Sequence, residues 1–168
     1  MKKSLIIVLV IVGILLIGGG VSVYYLFGGE ESNSGGGRIL ENPVKDLTDD
    51  EAVSAFNADF VLYLLYSIGT NELHNPPFSD NTPKIEVAAD GEVFNAEVLD
   101  GRIYVGSGEI ASEDIVIRTT KSEIVKMLRD RNYVVESFRN ENSGIEFVEG
   151  KVTLAIKSYL KIYDNLSK

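Results

Sequence analysis

Residues able to act as acid, base, nucleophile or metal ligand are thinly spread along this chain. His74 is the single histidine. It stands in the turn-rich stretch of residues 69 to 83, where its neighbours Asn75, Pro76 and Pro77 supply neither a second metal ligand nor a group to orient an imidazole base. Asp46, Asp49, Asp50 and Glu51 crowd together, but their spacing departs from a D-x-[DN]-x-[DN]-G calcium loop and fits the start of a helix instead. Gly106-Ser107-Gly108 lacks the helix-opening pattern of a phosphate loop and reads as a strand irregularity. Asn165-Leu166-Ser167 fits a glycosylation sequon, placed in what reads as a terminal helix. The absence of cysteine removes thiolate zinc sites, cysteine nucleophiles and disulfide scaffolds together. No catalytic residue, metal or cofactor is expected, and the chain reads as a non-enzyme.

The elements that carry these residues follow from periodicity and capping. Thr48 and Glu51 form a T-x-x-E capping box, with Asp49 and Asp50 in the first turn, where the helix dipole favours negative charge. The pattern predicts one helix from Thr48 to about Ile68, with Val53, Phe56, Phe60 and Leu64 along one stripe. Two Asp-Gly pairs, Asp90-Gly91 and Asp100-Gly101, separate three strand-like runs over 84–89, 92–99 and 102–110. Such pairs mark tight hairpins, because both central positions of a type I′ turn need positive φ. A fourth strand is expected over 114–119, and Thr120-x-x-Glu123 opens another helix. Val134, Val135 and Phe138 suggest a second short helix, and Ile145 and Phe147 a last strand. The chain is expected to finish in one amphipathic helix, about 151–166. Its apolar face is Val152, Ala155, Ile156, Tyr159, Leu160, Tyr163 and Leu166, with Lys151, Lys157, Lys161 and Lys168 outside that face.

This domain is preceded by a different kind of sequence. Leu5 to Phe27 holds no charged residue, and at helical rise these residues span roughly 35 Å, enough to cross a bilayer. Lys2 and Lys3 before the span and Glu30 and Glu31 after it place the N-terminus in the cytoplasm and the remainder outside. A cleaved signal peptide is the rival reading, but the apolar run is long and no A-x-A-like site ends it. Residues 28–37, GGEESNSGGG, have the composition of a flexible coil. The expected organisation is a transmembrane anchor in 1–27, a linker in 28–37 and one domain in 38–168. The fold class is α+β, with a mostly antiparallel sheet of about five strands covered by helices. Two of the 16 basic residues precede residue 28, leaving 14 against 25 acidic ones, a net of −11. So acidic a surface repels nucleic-acid phosphates, and no nucleic acid partner is expected.

The element order, and above all the segment from Asp114 to Leu128, resembles the sterol carrier protein type-2 domain family. The matching positions are an aspartate at Asp114, alternating apolar residues Ile115 and Ile117, the cap Thr120, the acidic Glu123, and the helical Ile124, Met127 and Leu128. The resemblance covers residues 84 to 166. The chain departs from that family where Arg129-Asp130-Arg131-Asn132 replaces a helix-closing glycine, and in the strand segment Gly144 to Gly150, which lacks a lysine. The resemblance implies a small lipid-binding fold holding an apolar molecule between sheet and helices. Helical periodicity then offers Phe60, Leu64, Ile124, Leu128, Tyr159 and Tyr163 as lining residues. Two readings stand: a single-pass, membrane-tethered extracytoplasmic domain that binds a lipid or other apolar ligand, or an accessory domain of a membrane or envelope complex with a packed core. The expected partners are the bilayer through residues 5–27, an apolar small molecule and a membrane protein.

Overall fold

A computed structural model describes residues 40 to 167. The expected membrane span, the linker and the domain boundary at residue 38 lie outside the described residues. Among the described residues, no helix is long and apolar enough to cross a membrane.

Five strands form one sheet in the order β3-β2-β1-β4-β5. They are β1 (Lys84–Ala89), β2 (Glu92–Leu99), β3 (Arg102–Ser107), β4 (Ile115–Thr119) and β5 (Gly144–Phe147). The two Asp-Gly pairs make the hairpins, as their composition predicts. Asp90 and Gly91 have φ of 51° and 84°, and Asp100 and Gly101 have 50° and 74°. Each strand of the β1–β2 hairpin alternates a buried residue with a partly covered one, so one face of the meander points into the core. The third strand ends at Ser107, short of the predicted 110. Gly108 turns away at φ 96°, its amide bonding back to the Val93 carbonyl at 2.7 Å.

β4 then crosses back to lie parallel to β1, with Ile85 opposite Ile115 and Val87 opposite Ile117. The other strand pairs are antiparallel. This central position explains why Ile115, Val116 and Ile117 are all buried, although alternation puts Val116 on the opposite face from the two isoleucines. A strand flanked on both sides and covered on both faces loses the half-exposed pattern.

The helices depart from the sequence reading in two places, both at breaks. The expected first helix is two: α1 (Asp49–Ser54) and α2 (Ala58–Ser67). The capping box at Thr48 is present as expected, with the Glu51 carboxylate accepting from the Thr48 amide at 2.8 Å. Asn57 restarts the chain in extended conformation, its side chain accepting from the Asp59 amide at 2.8 Å. An asparagine suits such a cap better than a helix interior. The final helix also breaks, into α5 (Lys151–Ile156) and α6 (Tyr159–Ser167), separated by Lys157 and by Ser158 at φ 72°. Between them in sequence lie α3 (Lys121–Arg129), capped by Thr120, and α4 (Tyr133–Arg139).

The second break changes which residues face inward. Leu154, Lys157, Tyr159, Ile162 and Leu166 are buried, whereas Val152, Ala155, Ile156 and Tyr163 of the expected apolar face are exposed. A single straight helix would have kept one continuous stripe. The left-handed turn at Ser158 resets the register, so each half buries its own face. Asn57→Ala is expected to cost about 1 kcal/mol in urea unfolding through loss of the α2 cap, and Asn57→Gly only a few tenths.

Candidate functional site

The expected lining residues are largely brought together. Phe60 and Leu64 of α2, Ile124 and Leu128 of α3, and Tyr159 of α6 all belong to one buried cluster over the sheet. Tyr163 does not join them. It is 41% exposed, and its ring meets Phe147 of β5 edge-on, 5.2 Å between centroids. The cluster is tightly closed: Val61, Leu64, Leu65, Ile85, Ile117 and Ile124 have 0% exposure. No water-sized sphere touches these side chains, so the space around them is filled by neighbouring atoms rather than open for a ligand.

One open cleft of about 270 Å³ lies elsewhere, between the start of α2 and the β2–β3 edge. Phe56 and Phe94 supply aromatic walls, with ring centroids 5.7 Å apart, and Asn57, Glu92 and Ser107 supply polar ones.

The polar centre of the domain is Asp114, which the sequence marks only as part of a pattern. Its side chain is 1% exposed, and Lys157, expected on the solvent face, is 0% exposed beside it. Lys157 Nζ donates to both carboxylate oxygens at 2.8 and 2.9 Å, to Asn81 Oδ1 at 3.0 Å and to the Thr82 carbonyl at 3.0 Å. Asp114 Oδ2 also accepts from the Lys84 amide at 2.7 Å and from the Tyr159 hydroxyl at 2.8 Å. Burial, with the Asp114 charge second, drives the Tyr159 phenol far above its ordinary value, so it remains a neutral donor. Every acceptor and donor here is engaged, which leaves the group closed to a substrate or metal. It is an anchor: it joins the start of β1, the start of β4 and the α5–α6 junction.

A second network lies under α3 and α4. Glu123 accepts from Tyr133 Oη at 3.0 Å, Ser137 Oγ at 2.9 Å and Lys126 Nζ at 2.8 Å. Ser137 Oγ continues to Ser143 Oγ at 2.9 Å and that to Thr119 Oγ1 at 2.7 Å. Burial pushes the Glu123 carboxyl upward, but the bonds from Lys126, Ser137 and Tyr133 outweigh it and hold it below its ordinary value. Among the described residues, every buried side-chain nitrogen or oxygen has a hydrogen-bond partner.

Asp49 pairs with Arg129 at 2.6 Å, and Asp49, Asp50 and Glu51 make up the first turn of α1. His74, expected to lack an orienting group nearby, has its Nδ1 3.1 Å from the Asn75 carbonyl, and it meets a second partner from far away: its Nε2 lies 3.0 Å from Ser158 Oγ. No local sequence signal could have joined residues 84 positions apart.

Exposed large apolar side chains recur between residues 147 and 163, in and after edge strand β5, where the Phe147 ring meets that of Tyr163; Phe78, Leu99 and Tyr104 are exposed elsewhere. Phe147, Val148, Val152, Ile156 and Tyr163 are exposed by 40% to 74%. They come from the edge strand, the segment after it, and the two helices that follow.

Comparison with known proteins adds little to this geometry. No family model matches the chain, and no curated protein sequence matches it. Among solved structures, one described as UbiJ-SCP2 Ubiquinone synthesis protein is similar at 12% identity, over 68% of this chain and 85% of that chain, with a TM-score of 0.36.

Two measurements check the networks. Asp114→Asn leaves the Lys157 charge buried without its counter-ion and is expected to destabilise the domain by about 3 to 5 kcal/mol, whereas Asp114→Leu with Lys157→Met removes both charges and recovers only part of that loss, because the Lys84 amide and the Thr82 carbonyl lose their partners. For Glu123, whose folded pKa is depressed, the contribution to stability is present above the ordinary carboxylate value of 4.5 and is lost as pH falls through the folded pKa. The gap in melting temperature between the native chain and Glu123→Gln should therefore be widest at neutral pH and should close in acid.

Proposed function

We propose that this protein is a membrane-tethered, extracytoplasmic binding domain for a lipid or other apolar molecule, taken up at its surface rather than in a preformed interior tunnel. The uncharged run from Leu5 to Phe27 is the tether. The charge asymmetry of Lys2 and Lys3 against Glu30 and Glu31 sets the domain outside the cytoplasm. The observation that carries the reading is the contrast between inside and outside. Leu64 and Ile124 are sealed in a filled core, while five large apolar side chains on β5, α5 and α6 and the segment between them stand exposed. Clustered exposed apolar residues mark sites of interaction with apolar partners. The resemblance of Asp114 to Leu128 to a lipid-carrier family points the same way. Asp114 and Lys157 take no part in catalysis under this reading, because each is saturated by the other and by the backbone around them.

The sealed interior also favours a second reading, an accessory domain of a membrane or envelope complex that uses the same exposed residues to meet a protein. The two separate in one experiment on the full chain in detergent. Under the first reading, a fluorescent fatty acid binds saturably, and Val152→Asp with Ile156→Asp weakens it at least tenfold without lowering the melting temperature. Absence of saturable binding, with a co-purifying protein lost in the same double variant, would replace the first reading by the second. Protease added to intact cells should digest the domain; full protection would remove the extracytoplasmic assignment.

A further inference from the structure

Ser158 and His74 form a pair that the binding reading does not use. Ser158 is the turn residue between α5 and α6, held at φ 72°, a left-handed conformation that a helix end normally gives to glycine. Its Oγ lies 3.0 Å from His74 Nε2. The other ring nitrogen, Nδ1, lies 3.1 Å from the Asn75 carbonyl. A carbonyl only accepts, so Nδ1 carries the proton; in the neutral ring Nε2 then presents its lone pair to the serine hydroxyl. Serine, imidazole base and an orienting acceptor thus stand in the order that activates a hydroxyl nucleophile.

The surroundings suit that role. His74 is exposed and Ser158 half-buried, so a substrate can reach both. Each is flanked by buried anchors: Leu73 precedes the histidine, and Lys157 and Tyr159 bracket the serine in the Asp114 network. Lys161 Nζ and Glu72 Oε2, 2.6 Å apart, bridge the same two segments again. α6 begins directly after Ser158, and its first hydrogen bond returns from the Lys161 amide to the Ser158 carbonyl. The amides of Tyr159 and Leu160 come before that bond. They are the helix-start donors that can accept a developing negative charge.

We infer that Ser158 and His74 are a catalytic dyad that hydrolyses carboxylic esters. Ser158 Oγ attacks the ester carbonyl carbon, its proton passes to His74 Nε2, and the carbonyl π electrons move onto oxygen. When that oxyanion collapses, the bond to the alcohol oxygen breaks and the alcohol leaves with the proton from Nε2. Water then attacks the acyl-serine, giving its proton to Nε2. Collapse of the second oxyanion releases the carboxylic acid and returns the proton to Ser158 Oγ.

The test uses the full chain in detergent with p-nitrophenyl acetate. So short an acyl group makes the outcome independent of apolar-ligand binding. Ser158→Gly is the decisive variant, because glycine keeps the left-handed turn and removes only the hydroxyl. Its melting temperature is expected to equal or exceed that of the native chain, while turnover falls at least 100-fold to background. His74→Gln should fall comparably. A fluorophosphonate probe should add one adduct, mapped by peptide mass to Ser158 and absent in Ser158→Gly. Equal turnover in the native chain and Ser158→Gly, zero in both included, overturns the dyad, as does an adduct on any other residue.

Discussion

The pairing of Asp114 with Lys157 is the constraint around which the rest of the domain is arranged. A carboxylate at 1% exposure and an ammonium at 0% persist in a core only when each charge is matched and every remaining donor and acceptor is satisfied. That requirement draws separate parts of the chain to one point. Asn81 and Thr82 supply acceptors before β1, Lys84 supplies an amide at its start, Asp114 sits at the entry to β4, and Lys157 and Tyr159 arrive from the C-terminal helices. The backbone of Asp114 adds further ties: its amide donates to the Lys84 carbonyl, and its own carbonyl accepts from Val148 and Glu149 after β5. One residue therefore sets the parallel β1–β4 alignment, the end of β5 and the docking of α5 and α6.

The other end of β4 is held by hydroxyls rather than by a buried ion pair. Thr119 ends β4 and leads into the α3 cap at Thr120, and the path from Thr119 through Ser143 and Ser137 to Glu123 links β4, the start of β5, α4 and α3. Glu123 thus resembles a capping-box acid in sequence, but its carboxylate is held by Lys126 of its own helix and by Tyr133 and Ser137 of α4. Short hydroxyl side chains can be buried at little cost when each bonds to the next. This is how a 4-residue edge strand is kept in register beside a much more apolar neighbour.

These two networks leave the domain closed at its centre and apolar at one edge. Leu64 and Ile124 have no exposed surface, and Val152, Ile156 and Tyr163 of α5 and α6 point outward. The exposed apolar residues after β5 and the contact of His74 with Ser158 at the α5–α6 turn therefore both lie at the surface.

Local signals in the sequence are enough for whatever depends on neighbouring residues. The two Asp-Gly hairpins, the caps at Thr48 and Thr120, and the alternation of β1 and β2 follow from turn chemistry and periodicity acting over a few positions. Hence the α+β class, the five strands and most of the buried cluster, including Phe60, Leu64, Ile124, Leu128 and Tyr159, are legible in the order of the amino acids alone. Lys157 and Tyr163 show where that reasoning ends. Periodicity puts the lysine outside and the tyrosine inside, and the fold reverses both, because a buried aspartate 43 positions away makes the interior favourable for an ammonium. The sealed core, the parallel crossover and the meeting of His74 with Ser158 are likewise tertiary: each depends on side chains far apart in sequence whose energies count only once the chain has brought them into contact.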